Sequence, residues 1–348
     1  LDPAGIMISP PGGSVSGPVV AWNGSNHFVV WVSSSNSVLG ARVSVGGVVL
    51  DPMGISLANS AYQASIAWSG AESLIAWGTS GGIRAGRFDA LGQSLDDGGV
   101  QLSSSLEPQF DPLVSWGGSS FLVAWSERGF PEADVHAARV NVAGQVLDSP
   151  SIAVATGPSD DRLTAIGRSG NDWILAWRDS SQSLSAASVD SAGVARGHGP
   201  VIQSLAGGAS ISRIGPDVCL VARTSSGFSV RLLDSTGSPG DAGIIGIQMA
   251  AEQREPDIAS NGFDFLLVWS SNGVVYGARI DRNGRLQDPT GFVIGRSNIQ
   301  ALPSVAWGAG EYLVVWRNRG MSLDGGLPVQ LLAARVTTAG VVLDVPAL

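Results

Sequence analysis

Lysine is absent from this chain of 348 residues, and its 20 basic groups are all arginine. A GC-rich genome produces such a bias, and it leaves every cation with a planar fork suited to bidentate pairing. Cysteine occurs once, as Cys219 within VCLVAR, which excludes an internal disulfide; its apolar neighbours predict a buried, inert thiol. Histidine occurs three times, without HExxH or paired spacing, and no GxSxG elbow is present. No cofactor and no metal is therefore expected. Charged residues make up 14% of the chain and the formal charge is −9, so there is no basic footprint for a nucleic-acid backbone. No hydrophobic run is long enough for a bilayer-spanning helix, and membrane insertion is not expected. The chain starts at Leu1 without an initiator Met or a leader peptide, which suggests a mature or excised segment. A monomer or a domain of a larger chain is expected.

What is present is repetition. A hydrophobic strand ends in the same way seven times: FVVW (Trp31), LIAW (Trp77), LVAW (Trp125), ILAW (Trp177), LVAR (Arg223), LLVW (Trp269) and LVVW (Trp316). These anchors recur every 46 to 52 residues, and 47 glycines with 18 prolines punctuate the chain. Strand-like units at such a period predict an all-β, seven-bladed β-propeller of four-stranded antiparallel blades, one domain over residues 1–348. Runs of Val, Ile, Leu and Ala ending in Trp suit a strand covered on both faces by neighbouring blades.

With the strands of a blade lettered A to D, the last repeat places A at Ser304–Trp307, B at Tyr312–Trp316, C at Leu332–Val336 and D at Val341–Asp344. Glycine recurs at the proposed C–D turn, as Gly47, Gly92, Gly144, Gly193, Gly237, Gly284 and Gly340, each the second residue of a two-residue turn that needs positive φ. That register sets Arg opposite Asp in five blades: Arg42/Asp51, Arg87/Asp96, Arg139/Asp148, Arg279/Asp288 and Arg335/Asp344. Such pairs pin a hairpin by roughly 0.2–1 kcal/mol each and read as structural rather than catalytic. Blade 4 has Ser188/Gly197 there, and blade 5 has Leu232/Asp241. The opening LDPAGIMIS repeats LDPMGISLA at Leu50–Ala58, so residues 1–9 are expected to complete the seventh blade and close the ring.

Alternating strand direction puts the A–B and C–D turns on one face and the B–C and D–A loops on the other. Insertions concentrate in B–C loops, at Ser126–His136 and Arg317–Gln330, so the functional face is expected there. Its candidate binding residues are Glu127, Arg128, Glu132, Asp134 and His136 in blade 3, Arg178 and Asp179 in blade 4, and Arg317, Asn318, Arg319 and Asp324 in blade 7. Arg223, standing where other repeats carry the anchor Trp, is a further candidate, either paired in place or lining an anion-attracting pocket with Arg168 or Arg213. Carboxylates beside a histidine suit acid–base or metal chemistry, yet solvated loop charges account for the same residues. DRNGRLQD at Asp281–Asp288 has a faint likeness to a calcium loop, but its Asn-Gly is already explained by the hairpin. His27, at the start of a B strand, and His198 are weaker leads.

The repeats resemble the W-x-G…VVW…GARV…G-x-VLD propeller repeats of large secreted or surface bacterial proteins, over nearly the whole chain. That resemblance implies an extracytoplasmic interaction domain and transfers no catalytic residue. The leading expectation is a non-enzymatic module that binds glycan or protein through the B–C face. A hydrolase or lyase with its site at the central mouth of that face is the second, and a structural spacer in an adhesin-like chain the third. A lectin using every blade would repeat an exposed aromatic site seven times, whereas the recurrent aromatics here fall within strands.

Overall fold

The computed structural model describes residues 5–10, 14–103, 105–129, 132–215, 217–225, 227–234, 238, 245–247, 253–319 and 329–344. Its strands form seven four-stranded antiparallel sheets arranged as a seven-bladed β-propeller. In blade 1, A is Val15–Trp22, B His27–Ser33, C Ser37–Val43 and D Ile55–Asn59. Each A strand touches the A strands of both neighbouring blades, so seven A strands ring a central channel. B strands sit in the middle of each blade, and the B-strand tryptophans are buried: Trp31, Trp125, Trp269 and Trp316 are at most 1% exposed. Their indoles pack between blades, as where Trp316 Nε1 donates to the Arg296 carbonyl of blade 6 at 3.1 Å.

The ring closes through the N-terminal segment. Ile6–Met7 pairs antiparallel with Val329–Thr337, Ile6 opposite Ala333 and Met7 opposite Leu332, and is the outermost strand of blade 7. Val341–Asp344 is therefore not strand D, as the sequence suggested; it makes only an isolated bridge, Val336 to Val342. Its counterparts behave alike, as Val43 bridges Val49 before the chain leaves the sheet. The reason lies in the turn. Gly47 N–H donates to Ser44 O, and Ser44 N–H to Val48 O, so the loop has three residues and Gly47, at φ +78°, is the third. A type I turn closed by a left-handed glycine gives this bulged loop rather than the expected two-residue turn. The sharply twisted tip ends after one bridge, and the true D strand forms further on.

The expected Arg–Asp pairs form in all five blades, as bidentate pairs that also cap the backbone. In blade 1, Asp51 accepts from the Arg42 backbone N–H at 2.9 Å and from its Nε and Nη2 at 2.8 Å each. Hydrogen bonding to Arg42 holds the Asp51 carboxyl below the usual carboxylate range, and Arg279 does the same for Asp288. The pairs reach beyond their own blades: Arg139 Nη1 donates to the Ser191 carbonyl of blade 4 at 2.5 Å, and Arg87 Nη1 donates to the Val142 carbonyl of blade 3. The three-residue loop also moves the register by one: Ser188 of blade 4 lies opposite Arg196 rather than Gly197, as Arg42 lies opposite Leu50 rather than Asp51, which reaches Arg42 diagonally. Gly237 and Asp241 of blade 5 lie outside the described residues.

Blade 5 departs from the sequence alignment in a second way. In the other six blades, B-strand residues in step with the tryptophan face the preceding blade; Leu175 and Trp177 of blade 4, for instance, pack with Leu122 and Ala124 of blade 3. In blade 5 the residues facing blade 4 are Val218, Leu220 and Ala222, while Cys219 and Val221 pack against Phe265, Leu267 and Trp269 of blade 6. The anchor slot is thus held by Ala222. Arg223 is one residue beyond it, equivalent to Arg178 and Arg317, and does not replace the tryptophan.

Candidate functional site

The channel opens on the B–C face through a mouth of about 350 Å³, lined among others by Gln63, Asp111, Pro112, Thr164, Gly208 and Pro256. Strand A begins here, and in several blades it begins with a bulge and a proline. Gly17, Asp111 and Leu302 have φ of +57°, +55° and +47°, and each precedes a proline. The left-handed backbone at Asp111 is therefore a feature of the scaffold, which in blade 3 presents a carboxylate. Asp111 and Gln63 of blade 2 clasp each other: Gln63 Nε2 donates to Asp111 Oδ1 at 2.5 Å, and Asp111 N–H to Gln63 Oε1 at 2.8 Å. Burial pushes the Asp111 carboxyl above its ordinary value, opposed by the Gln63 hydrogen bond and the Arg162 charge. The Arg162 guanidinium lies 5.6 Å over the Phe110 ring and 3.0 Å from Asp160.

Deeper in the channel, a space of about 390 Å³ is lined by A-strand residues of all seven blades. Strand pairing places Val19, Ser65, Leu113, Ala165, Ser210, Asp257 and Ser304 at one level of the ring. Asp257 is the one charge among them. It accepts from Ser210 Oγ at 2.7 Å, from the Val305 N–H at 2.8 Å and from its neighbour Ile258 N–H at 2.9 Å. Burial raises its carboxyl, and these bonds pull it the other way. Ser65 plays a like part by accepting from Val114 N–H at 3.2 Å, so Asp257 ties three inner strands together.

The sequence candidates fall into separate groups. Glu127 and Asp134 lie directly opposite each other across strands B and C of blade 3, a like-charge pair that a hairpin tolerates only at a cost. Glu127 accepts from Gln109 Nε2 at 2.6 Å, and Asp134 from Gly157 N–H at 3.3 Å. Arg128 is exposed, while Glu132 is half-buried. His136 is displaced from this tip: it stacks on Trp125 with ring centres 6.3 Å apart, and its Nδ1 is 3.3 Å from Ser151 Oγ. Arg178 stands opposite Arg162 in blade 4. Asp179 is committed to its turn, accepting from the backbone N–H of both Ser181 and Ser183 at 2.9 Å. Asp161 is raised first by burial and then by the nearby charges of Asp179 and Asp134, so the blade 3–4 tip is acidic. Among the described residues no acidic or histidine group is arranged to hold a metal ion.

Arg223 donates from Nη1 to the Ala206 carbonyl at 3.0 Å. Arg168 and Arg213 lie at the far ends of their A strands, bonded to Gly170 and Gly215 on the opposite face, so the length of a strand separates them from Arg223. The expected pocket shared with those arginines does not form. In blade 7, Asn318 and Arg319 interlock with Asn298: Asn298 N–H donates to Asn318 Oδ1 at 3.1 Å, and Arg319 N–H to Asn298 Oδ1 at 2.9 Å. Arg317 is half-buried with an unpartnered Nε, and burial lowers its pKa. Asp324 lies outside the described residues. Blades 1 and 2 separate blade 7 from blade 3 one way round the ring, and blades 4 to 6 the other, so these groups form no single contact site.

Gln63 and Asp111 were missed as site residues. A signal existed, because Asp111, like Glu255, is a charged member of a recurring X-Pro at the start of strand A. Asp257 stood out likewise, since PDIAS aligns with PVVAW and PSVAW.

No protein-family model and no curated protein matches the chain. Solved structures share its fold. The BP39L lectin from Burkholderia pseudomallei superposes with a TM-score of 0.69 at 15% identity, over 94% of this chain and 98% of the lectin. The polysaccharide lyase Uly1 gives 0.63 at 8% identity over 97% of each chain. Virginiamycin B lyase from Staphylococcus aureus gives 0.56 at 13% identity, over 91% of this chain and 94% of that one. At such identities the likeness establishes the β-propeller fold and no shared activity.

Proposed function

We propose that the chain is a non-enzymatic recognition module of a secreted or cell-surface bacterial protein, taking a hydroxyl-rich ligand, a glycan, at the channel mouth on the B–C face. The observation that carries this is convergence: Gln63, Asp111 and Thr164, from three successive blades, bring an amide, a carboxylate and a hydroxyl to one 350 Å³ concavity. A few polar groups placed on a rigid concave wall are what orients a small polyol. The lectin among the structural neighbours supports a binding role on this fold. A glycan array with the wild-type chain, followed by titration of the best binder against Gln63→Ala and Asp111→Ala, tests it. Both variants are expected to weaken binding at least tenfold; affinity unchanged in both removes the mouth as the site.

A second reading, a lyase or hydrolase at the same mouth, rests on Asp111, whose burial raises its carboxyl toward the range of a general acid or base. Against it, neither this mouth nor the deeper channel has a histidine among its described lining residues. Product formation from an array hit, lost on Asp111→Asn while binding persists, favours the enzyme.

A further inference from the structure

The one-residue step in blade 5 changes which side chains line its gap to the preceding blade. Across strands B and C, the slot paired two residues before the anchor is small in every other blade: Ala41, Gly86, Ala138, Ala187, Ala278 and Ala334. A small residue is needed there because the indole of the same blade lies over it. A Cβ on Gly86 would come within 3.2 Å of the Trp77 ring. In blade 5 the sizes are exchanged. The anchor is Ala222, and the small slot, opposite Leu220, holds Arg231. Beside it Ser229, opposite Ala222, faces the same way.

A groove of about 460 Å³ lies between the outer strand of blade 4 and blade 5, lined by Ile202, Gln203, Ser204, Thr224, Ser229 and Arg231 among others. A groove of about 520 Å³ lies at the equivalent place between blades 1 and 2, but there the tryptophan Trp77 lines it. Ser229 is 4% exposed and its Oγ has no hydrogen-bond partner; Arg231 Nε is likewise buried and unpartnered. Among the described residues no carboxylate pairs with Arg231, whereas five other third-strand arginines are held by bidentate carboxylates and Arg84 of blade 2 by Gln101 and the Gly98 and Gly99 carbonyls. A groove with a half-buried guanidinium, an orphaned hydroxyl and no carboxylate among its described lining residues is costly when empty, because unmade hydrogen bonds of buried groups are not compensated.

We infer that this groove is a second binding site, distinct from the channel mouth, for a sugar carrying a carboxylate. The planar fork of Arg231 matches a carboxylate in a way that it does not match a neutral hydroxyl. Ser229 and Thr224, with Gln203 and Ser204 at the blade 4 side, supply the hydroxyl and amide groups that read ring hydroxyls, and the volume suits one or two sugar units. The overall charge of −9 disfavours a long polyanion, so a single acidic residue of a larger glycan fits better than a continuous acidic chain.

The test is calorimetric titration of the whole chain with D-glucuronate, D-glucose and inorganic sulfate. Two variants accompany it: Arg231→Ala, which installs the residue of five sister blades, and Ala222→Trp with Arg231→Ala, which restores the full six-blade pattern. Both keep sister-blade packing, and thermal melts verify folding. Glucuronate is expected to bind at least tenfold tighter than glucose, to lose at least tenfold on Arg231→Ala, and to lose all binding in the double variant. Sulfate binding as tightly as glucuronate would show that charge alone is read and overturn the sugar assignment. Glucuronate binding that survives the double variant would place it elsewhere and overturn the site. The loss on Arg231→Ala is expected to persist in the Gln63→Ala background, so the groove is read separately from the channel mouth.

Discussion

Arg335 of blade 7 donates from Nη1 to the backbone carbonyl of Val45 in blade 1 at 2.7 Å, while its Nε and Nη2 hold both carboxylate oxygens of Asp344. One guanidinium thus fastens the last blade to the first, at the seam that Ile6–Met7 also closes. Arg279 makes the same bidentate pair with Asp288 but, among the described residues, sends no donor to the next blade. Arg335→Ala is expected to lower stability more than Arg279→Ala, by about 1 kcal/mol for the extra charge-assisted bond. Urea denaturation of the two variants in parallel measures the difference. Equal losses would show that the seam bond contributes nothing.

His27 is fully buried, packs edge-on against Trp22 with ring centres 5.0 Å apart, and leaves both ring nitrogens without a partner. Burial lowers its pKa from 6.5 to about 4. The unfolded chain therefore takes up a proton that the folded chain refuses, and stability is lost as pH falls from 6.5 toward about 4. The displacement corresponds to about 3 kcal/mol across that window. Phe121 and Phe265 occupy the same slot in blades 3 and 6. His27→Phe is expected to raise the melting temperature at neutral pH by about 2–4 °C and to flatten its fall in acid. A variant with the wild-type midpoint and acid slope would show that the imidazole is neither strained nor titrating there.

The toroid was legible because each repeat must bury the same indole in the same gap, which imposes an anchor at a steady period. The Arg–Asp pairs were legible because both residues recur at fixed offsets from the turn glycine, although the three-residue loop sets Arg42 opposite Leu50 and makes Asp51 its diagonal neighbour. Strand D was not, because Val48–Asp51 has strand composition but sits on a twisted tip, and only the geometry of the three-residue loop cuts it short. Blade 5 was misaligned by LVAR, whose likeness to LVVW hides a one-residue step; face assignment needs the packing of Cys219 and Ala222 against different neighbours. The candidate residues followed charge and loop length, which find Glu127 and Asp134. They overlook Gln63, an uncharged strand residue that matters through its position at the channel mouth.

Asp257 accepts hydrogen bonds from three successive inner strands at a ring level otherwise held by Val, Ser, Leu and Ala. Asp257→Ala leaves the Val305 N–H and the Ser210 hydroxyl without their acceptor. The expected cost is about 3 kcal/mol or more, larger than for Ser65→Ala, which frees one backbone donor at the equivalent place. Denaturation midpoints of the two variants test this. A smaller loss for Asp257→Ala would show that water in the channel satisfies the freed groups.

Cys219 packs toward blade 6 beside Leu267 and Trp269, fully buried, and burial pushes its thiol up to about 12. The thiolate is the reactive form, so both access and ionisation must change before it reacts. In native buffer at pH 8 its labelling by a disulfide reagent is expected to be slower than that of a free thiol by several orders of magnitude, and complete in denaturant. If blades 5 and 6 part only when the ring unfolds, the labelling rate should rise with urea in proportion to the globally unfolded fraction. Labelling that is fast, and insensitive to low urea, would instead show that this seam opens on its own. In that case the fifth blade, already one residue out of step with its sisters, is the weak joint of the ring.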